Sequence, residues 1–522
     1  MLNTLALLSA SSADWPQWGG TPARNMVSLE RNLPDSWSPG KKDDATGEFD
    51  LKTAKNVKWI ARLGETTYSN PVVAGGKVFI GTNNKNPRNP KIAARSNGPN
   101  DTGDRGILMC FEEATGKFLW QLACPKLKAG KAFDWEDIGI CACAAVDGER
   151  VYIVTNRCEL LCLDVNGMAN GNDGPFKNEG QYIKDPDKLK GKGPEEFASL
   201  PVDPTDADII WRLDMMDQLG VLPHNAANCS VLVDGDVVYC ATSNAADWSH
   251  ITVPGANAPS IIAVNKQTGA VLWEDQLNLA KGSRPDCGLQ RRIFHGQWSS
   301  PSLGEVNGKK QLYFGGGDGC CYALDPQTGK TLWWADCVLP AHKKNDNGFI
   351  PYDSANGPSE INATPVLYKN RVYVANGQEP EGQRAGVGVL TCLDATKTGD
   401  TTNTGKLWVY DKINRSNATV SISDGLLYVA DFSGFVHCLD AETGAVKWVH
   451  DSGAHIWGST LVADGKVYFG NESNESFVMQ AGPVAKILSK VNVDTQLCGT
   501  PVAANGVLYI AGQTHLFAIE KR

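Results

Sequence analysis

The residues with chemical potential in this chain recur at one offset. Three positions ahead of eight similar apolar segments stand Tyr68, Cys141, Asn228, Trp298, Asn362, Asn417, Trp457 and Cys498. Amides, indoles and a phenol brought to one place would make a concave site with stacking faces and hydrogen-bonding groups. Other polar groups lie close by in sequence: His224, His295, Gln297, Asp318, Glu360 and His455, with Arg157 and Glu159 from the stretch Asn156-Arg157-Cys158-Glu159. The alternative is a water-filled channel whose polar residues only satisfy turn backbone.

Cysteine is abundant, at 15 residues. There is no Cys-x-x-Cys-His for covalent haem, and no spaced Cys/His set suggests zinc. If the chain is exported some cysteines could pair, though their spacing assigns no partners. Adjacent strand residues point to opposite faces, so Cys320 and Cys321 read as separate packing residues, with a strained vicinal disulfide as the alternative.

The elements that must position these residues are repeats. Gly317 to Trp333 reads as a short strand, a tight turn at Asp325-Pro326-Gln327-Thr328-Gly329, and a strand ending in an indole. The spacing of Ala323, Gly329 and Trp333 returns at Cys110, Gly116 and Trp120, at Ala263, Gly269 and Trp273, and at Cys438, Gly444 and Trp448. Two more copies, stretched by insertions, run from Cys162 to Trp211 and from Cys392 to Trp408. A small residue and a glycine leave a slot that a neighbour's tryptophan can fill. Ahead of each copy lies a hairpin such as Pro71 to Gly81, with an Asp-Gly or Asn-Gly type turn, and eight of these occur.

A hairpin plus a turn-linked pair gives four antiparallel strands, and radial repetition of such units gives a propeller with short, protected edges. The expected fold is therefore all-β, an eight-bladed β-propeller of four-stranded antiparallel blades. The last unit stops three strands in, at Phe517 to Glu520, while Asn56 to Leu63 has no hairpin partner and carries Trp59. That N-terminal strand is expected to complete the last blade and latch the ring.

The Ala-x-Asp-x-x-Thr-Gly-Lys-x-x-Trp repeat resembles the tryptophan-docking motif of the quinoprotein, or pyrroloquinoline-quinone (PQQ) repeat, propellers, and the likeness covers nearly the whole chain from Asn56. The opening Asp14-Trp15-Pro16-Gln17-Trp18-Gly19-Gly20 resembles the start of exported PQQ-like repeat proteins of planctomycete type. Within this family some members are periplasmic alcohol dehydrogenases, while others, including an outer-membrane assembly lipoprotein, bind no cofactor. For the dehydrogenases the resemblance implies PQQ on the axis stacked on a tryptophan, a Ca²⁺-type ion, and a carboxylate base. Trp298 matches the stacking residue, Asp318 is the candidate metal ligand and Glu360 the candidate base. Trp457, Asn228, Asn362, Asn417, His295, Gln297 and Arg157 complete the candidate cofactor-binding set. Blade 2 departs from the family pattern, with Cys141-Ala142-Cys143 in place of adjacent cysteines, and blade 5 offers Glu360-Ile361-Asn362 where a Trp-Asp stretch is expected.

A net charge of −9 argues against a nucleic-acid surface, and no run of about 18 apolar residues exists to span a membrane. Residues 1–13 read as a truncated signal peptide, 14–55 as an irregular arm rich in Pro, Gly and Trp, and 56–522 as one propeller domain. Long insertions at 84–106, 122–139, 245–259, 275–296, 337–361 and 378–388 fall between strands B and C or between blades, which places them on one face. The excursion at 168–208 is expected to hang from the other face or the rim. Loops on a rigid scaffold are where binding resides. The sequence thus points to an exported, periplasmic or secreted, scaffold that binds a protein, glycan or small ligand at the channel face. A PQQ- and Ca-dependent alcohol dehydrogenase is the alternative.

Overall fold

The computed structural model describes residues 13–86, 104–127, 133–183, 202–250, 252–277, 293–348, 350–352, 354, 356–378 and 386–522. Eight sheets are built on four antiparallel strands, here called A to D from the axis outward. In blade 1 these are Val72–Ala74, Lys77–Asn83, Arg105–Glu112 and Phe118–Pro125. Strand A is short because it lines the hub, where eight sheets converge. The A–B turns carry paired left-handed residues, as at Asn307 (φ 51°) and Gly308 (φ 76°), the geometry that Asn-Gly and Asp-Gly pairs adopt most readily.

The ring closes as the repeat count requires. Val57–Arg62 pairs antiparallel with His515–Ile519 and supplies strand D of blade 8. Its Trp59 then docks on blade 1, where the indole Nε1 donates to the Glu113 carbonyl at 2.9 Å. A Cβ added at Gly116 would stand 2.6 Å from that ring, so the slot exists only because the position is glycine. The same contact recurs from Trp120 to Val165 of blade 2, from Trp211 to Lys266 of blade 3, and from Trp273 to Pro326 of blade 4. Trp408 and Trp448 continue it to blades 6 and 7. The residue paired with each tryptophan is small: Cys110, Cys162, Cys392 and Cys438, or Ala263, Ala323 and Ala518. Cysteine serves here as a compact apolar group. Cys320 and Cys321 sit in different core clusters, on the two faces of their sheet.

Two blades depart from the pattern. Blade 4 gains a fifth strand, Gly399–Asp400, which comes from the insertion between the last two strands of blade 5 and pairs parallel beside Trp333 and Trp334. Blade 7 has Ser489 at its tryptophan position, opposite Val478. The seam from blade 7 to blade 8 is packed instead by Trp37 and Phe49, whose rings lie 5.4 and 5.6 Å from Phe517. Phe517 faces away from the Ala518–Trp59 pair, toward blade 7, because neighbours on a strand alternate faces.

The segment before Trp37 crosses the hub. It meets strand A, or the residues leading into it, in every blade. Trp15 pairs with Val73, the Pro16 carbonyl accepts from Val146, and Gln17 accepts from Val233. The Pro22 carbonyl accepts from Leu303, Trp18 Nε1 donates to Thr364 Oγ1, and Asn25 makes a pair of bonds with Ile422. Val27 bridges to Val462, and Ser28 Oγ donates to the Ala503 carbonyl. Arg24, 0% exposed, donates to the carbonyls of Trp18, Pro301, Ser230 and Val231. The segment is thus a plug across the lower half of the channel.

Part of the excursion at 168–208 is described, up to residue 183 and from residue 202. Within it Tyr182 reaches the top of the outer flank, where its hydroxyl donates to Glu159 and its carbonyl accepts from Arg105. Among the described residues no helix is long and apolar enough to cross a membrane.

Candidate functional site

Above the plug the hub opens into a cavity of about 400 Å³. All eight residues at the recurring offset line it: Tyr68, Cys141, Asn228, Trp298, Asn362, Asn417, Trp457 and Cys498. Eight strands that start at the same height deliver one side chain each to a common layer. Trp135, Ile138, Asn225 and Ala226, from the loops between blades 1 and 2 and between 2 and 3, add to the wall. Those four were not singled out from sequence, because nothing in a loop's composition gives its path.

The lining is held by short-range bonds. Trp298 Nε1 donates to the Ala226 carbonyl at 3.1 Å, fixing the indole as a wall. Trp457 donates to Glu472, stands edge-on to Tyr68 at 5.7 Å, and packs on Phe432, whose ring stacks on His455. Asn362 Nδ2 donates to Asn417 Oδ1 at 3.3 Å and to Glu360 Oε1 at 3.2 Å. Burial holds the Cys141 and Cys498 thiols up at about 12, so neither is a thiolate nucleophile near neutrality.

The other candidates stand at or behind this wall. Glu360 is fully buried below Asn362 and accepts from Tyr352 at 2.9 Å; His295 Nδ1 lies 3.9 Å from it. Gln297 is fully buried and donates to the Asn244 carbonyl and Ser260 Oγ. Asp318 accepts from Tyr322 at 2.6 Å and from the Cys320 amide, closing its own turn away from the cavity wall. Arg157 pairs with Glu159 at 3.4 Å and donates to the Pro125 carbonyl, so it secures the junction of blades 1 and 2. Burial raises the Glu159 carboxyl above its ordinary range, opposed by Arg157 and Arg212.

Sequence spacing also missed a grouping. His224, His250 and His295 come from three loops on the cavity side of blades 3 and 4, and one nitrogen of each lies within 4.8 Å of the others. Only the scarcity of histidine, 8 in 522 residues, hinted that their placement mattered.

The chemistry of the lining bears on the cofactor. PQQ is a tricarboxylate, which calls for Arg or Lys, and Ca²⁺ calls for facing carboxylate oxygens. None of the described residues that line the cavity carries a charge. The candidate carboxylates Glu360 and Asp318 are engaged by Tyr352 and Tyr322, and Glu472 accepts from the wall indole of Trp457. These residues do not fit PQQ with its calcium ion.

Comparison with known proteins places the chain. A family profile described as outer membrane protein assembly factor BamB matches residues 197–450 and 386–482, together more than half of the chain. The polyvinylalcohol dehydrogenase of Sphingopyxis sp. (strain 113P3) is 25% identical over 238 residues, 42% of this chain and 33% of that protein. The dehydrogenase subunit of the quinone alcohol dehydrogenase of Gluconacetobacter polyoxogenes is 27% identical over 270 residues, 50% of this chain and 29% of that one. The match thus spans about a third of the length of these curated relatives. The crystal structure of BamB from Moraxella catarrhalis shares the fold, with a TM-score of 0.52, 14% identity, and coverage of 89% of this chain and 99% of that chain. Docking tryptophans, eight closed blades and the profile match agree: this chain belongs to the PQQ-repeat β-propeller family described as outer membrane protein assembly factor BamB.

Proposed function

We propose that the protein is an exported binding scaffold that holds a neutral, hydroxyl-rich ligand of the glycan class in its axial cup. The observation that carries this reading is the lining itself: aromatic faces and amides without charge, above a floor closed by the N-terminal segment. Flat rings take the C–H faces of a sugar. An Asn amide, with two donors and an acceptor, matches a pair of neighbouring hydroxyls. Export is supported by the outer-membrane role in the family's description.

The second reading is a PQQ- and Ca²⁺-dependent alcohol dehydrogenase with Glu360 as base, favoured by the similarity to the two dehydrogenases. Tryptophan fluorescence separates the two. Neutral oligosaccharides should give saturable quenching that Trp298→Ala and Asn362→Ala each weaken by about tenfold or more, in line with the loss of about 1.4 kcal/mol. Saturable PQQ binding in the presence of Ca²⁺, with dye-linked alcohol oxidation lost in Glu360→Gln, would replace this reading with the second.

A further inference from the structure

The histidine cluster lies outside the cavity wall and is unused by the function proposed above. His224 precedes strand A of blade 3, His250 lies in the B–C loop of the same blade, and His295 precedes strand A of blade 4. Their ring centroids are 4.1, 4.4 and 5.1 Å apart. His224 and His295 are each 1% exposed, whereas His250 is half-buried. Three imidazoles at this distance, two of them removed from water, are an expensive way to fill space that a phenyl ring would fill more cheaply.

We propose that His224, His250 and His295 bind one divalent transition-metal ion, of the class that prefers imidazole, with zinc as the reference ion. Three features carry this assignment. One nitrogen from each ring lies within 4.8 Å of the others. About 3.3 Å would separate two nitrogens on a tetrahedral ion with Zn–N bonds of about 2.0–2.1 Å, so a small turn of the half-buried His250 closes the set. His224 Nδ1 is 2.8 Å from the Ala246 carbonyl, and a proton donated there puts the lone pair on Nε2, the tautomer that ligates a metal.

The third feature is the surrounding shell. The Ala246 amide donates to the His295 carbonyl, which ties the loops of His224 and His295 to one strand of backbone. Trp248 stacks on His224 at 5.9 Å, and Trp298 and Tyr352 flank His295 at 5.1 and 5.4 Å. The carboxyl of buried Glu360 lies 3.9 Å from His295 Nδ1. Three protein ligands leave a fourth position, and the partial exposure of His250 lets water reach it. Because His295 packs on Trp298, the ion would also brace the cavity wall.

The test uses the full chain stripped with EDTA and titrated with Zn²⁺, with Co²⁺ as a spectroscopic probe. One equivalent should bind, and Co²⁺ should give the intense visible bands of a low-coordinate nitrogen site. His250→Ala, at a half-buried loop position, should fold with nearly wild-type melting yet bind at least about tenfold more weakly. His450→Ala, on the outer strand of blade 6, should leave binding unchanged. No stoichiometric binding by the wild-type chain, or equal affinity in the wild type and His250→Ala, would overturn the assignment. Neither outcome depends on whether the cup binds a sugar.

Discussion

Two tryptophans of similar chemistry do different work, and their surroundings say which. Trp333 is 0% exposed, with its Nε1 donating to Gln311 and its ring packed in the core between blades 4 and 5. Trp298 lines the cavity, donates to the Ala226 carbonyl and stands edge-on to His295. Trp333→Ala should cost about 3–5 kcal/mol, since it empties a large buried site. Trp298→Ala should leave melting near wild type and act on ligand binding. Chemical denaturation of both variants checks this, and equal destabilisation would mean that Trp298 is a core residue.

At the scale of the element, the excursion of blade 2 carries a titratable strain. Asp208 leads into strand D, Ile209–Asp214, and is 0% exposed by surface area. Burial pushes its carboxyl up to about 6, opposed by the hydrogen bond from the Asp173 amide, while Glu179 and Asp164 add repulsion. The folded state therefore binds this proton more tightly than the unfolded chain does. The stability it contributes is complete below the ordinary carboxylate value and is lost as pH rises through about 6. Asp208→Asn keeps an acceptor for Asp173 and removes the charge. It should melt above the wild type at neutral pH, with the gap closing below about pH 4. A gap that is constant with pH would place the effect elsewhere.

For the whole molecule, closure is made twice. Strand D of blade 8 joins the ends of the ring, and the N-terminal segment ties the eight A strands to one another across the axis. Arg24 is the centre of that tie, its guanidinium brought down to about 10 by burial and partly restored by Cys229 and Cys143. Arg24→Leu removes the donor that serves the carbonyls of Pro301, Ser230 and Val231 and should cost about 2–4 kcal/mol. Limited proteolysis should then cut the N-terminal segment before the blades. Protection equal to wild type would show that the backbone pairing alone secures the plug.

The blade count, the ring latch through Trp59 and the layer at the cavity were all legible from the sequence. They follow from local rules: strand alternation, turn residues, and a fixed spacing from glycine to tryptophan. Repetition made these rules visible, the hairpin eight times and the glycine-to-tryptophan spacing in four copies with two more stretched by insertions. What lacked a repeat stayed hidden. The path of residues 13–30 through the hub, the tyrosines engaging Asp318 and Glu360, and the meeting of His224, His250 and His295 all depend on where unlike loops end in space. Those contacts join residues far apart in the chain and are selected by the closed ring, so only the tertiary structure could decide them.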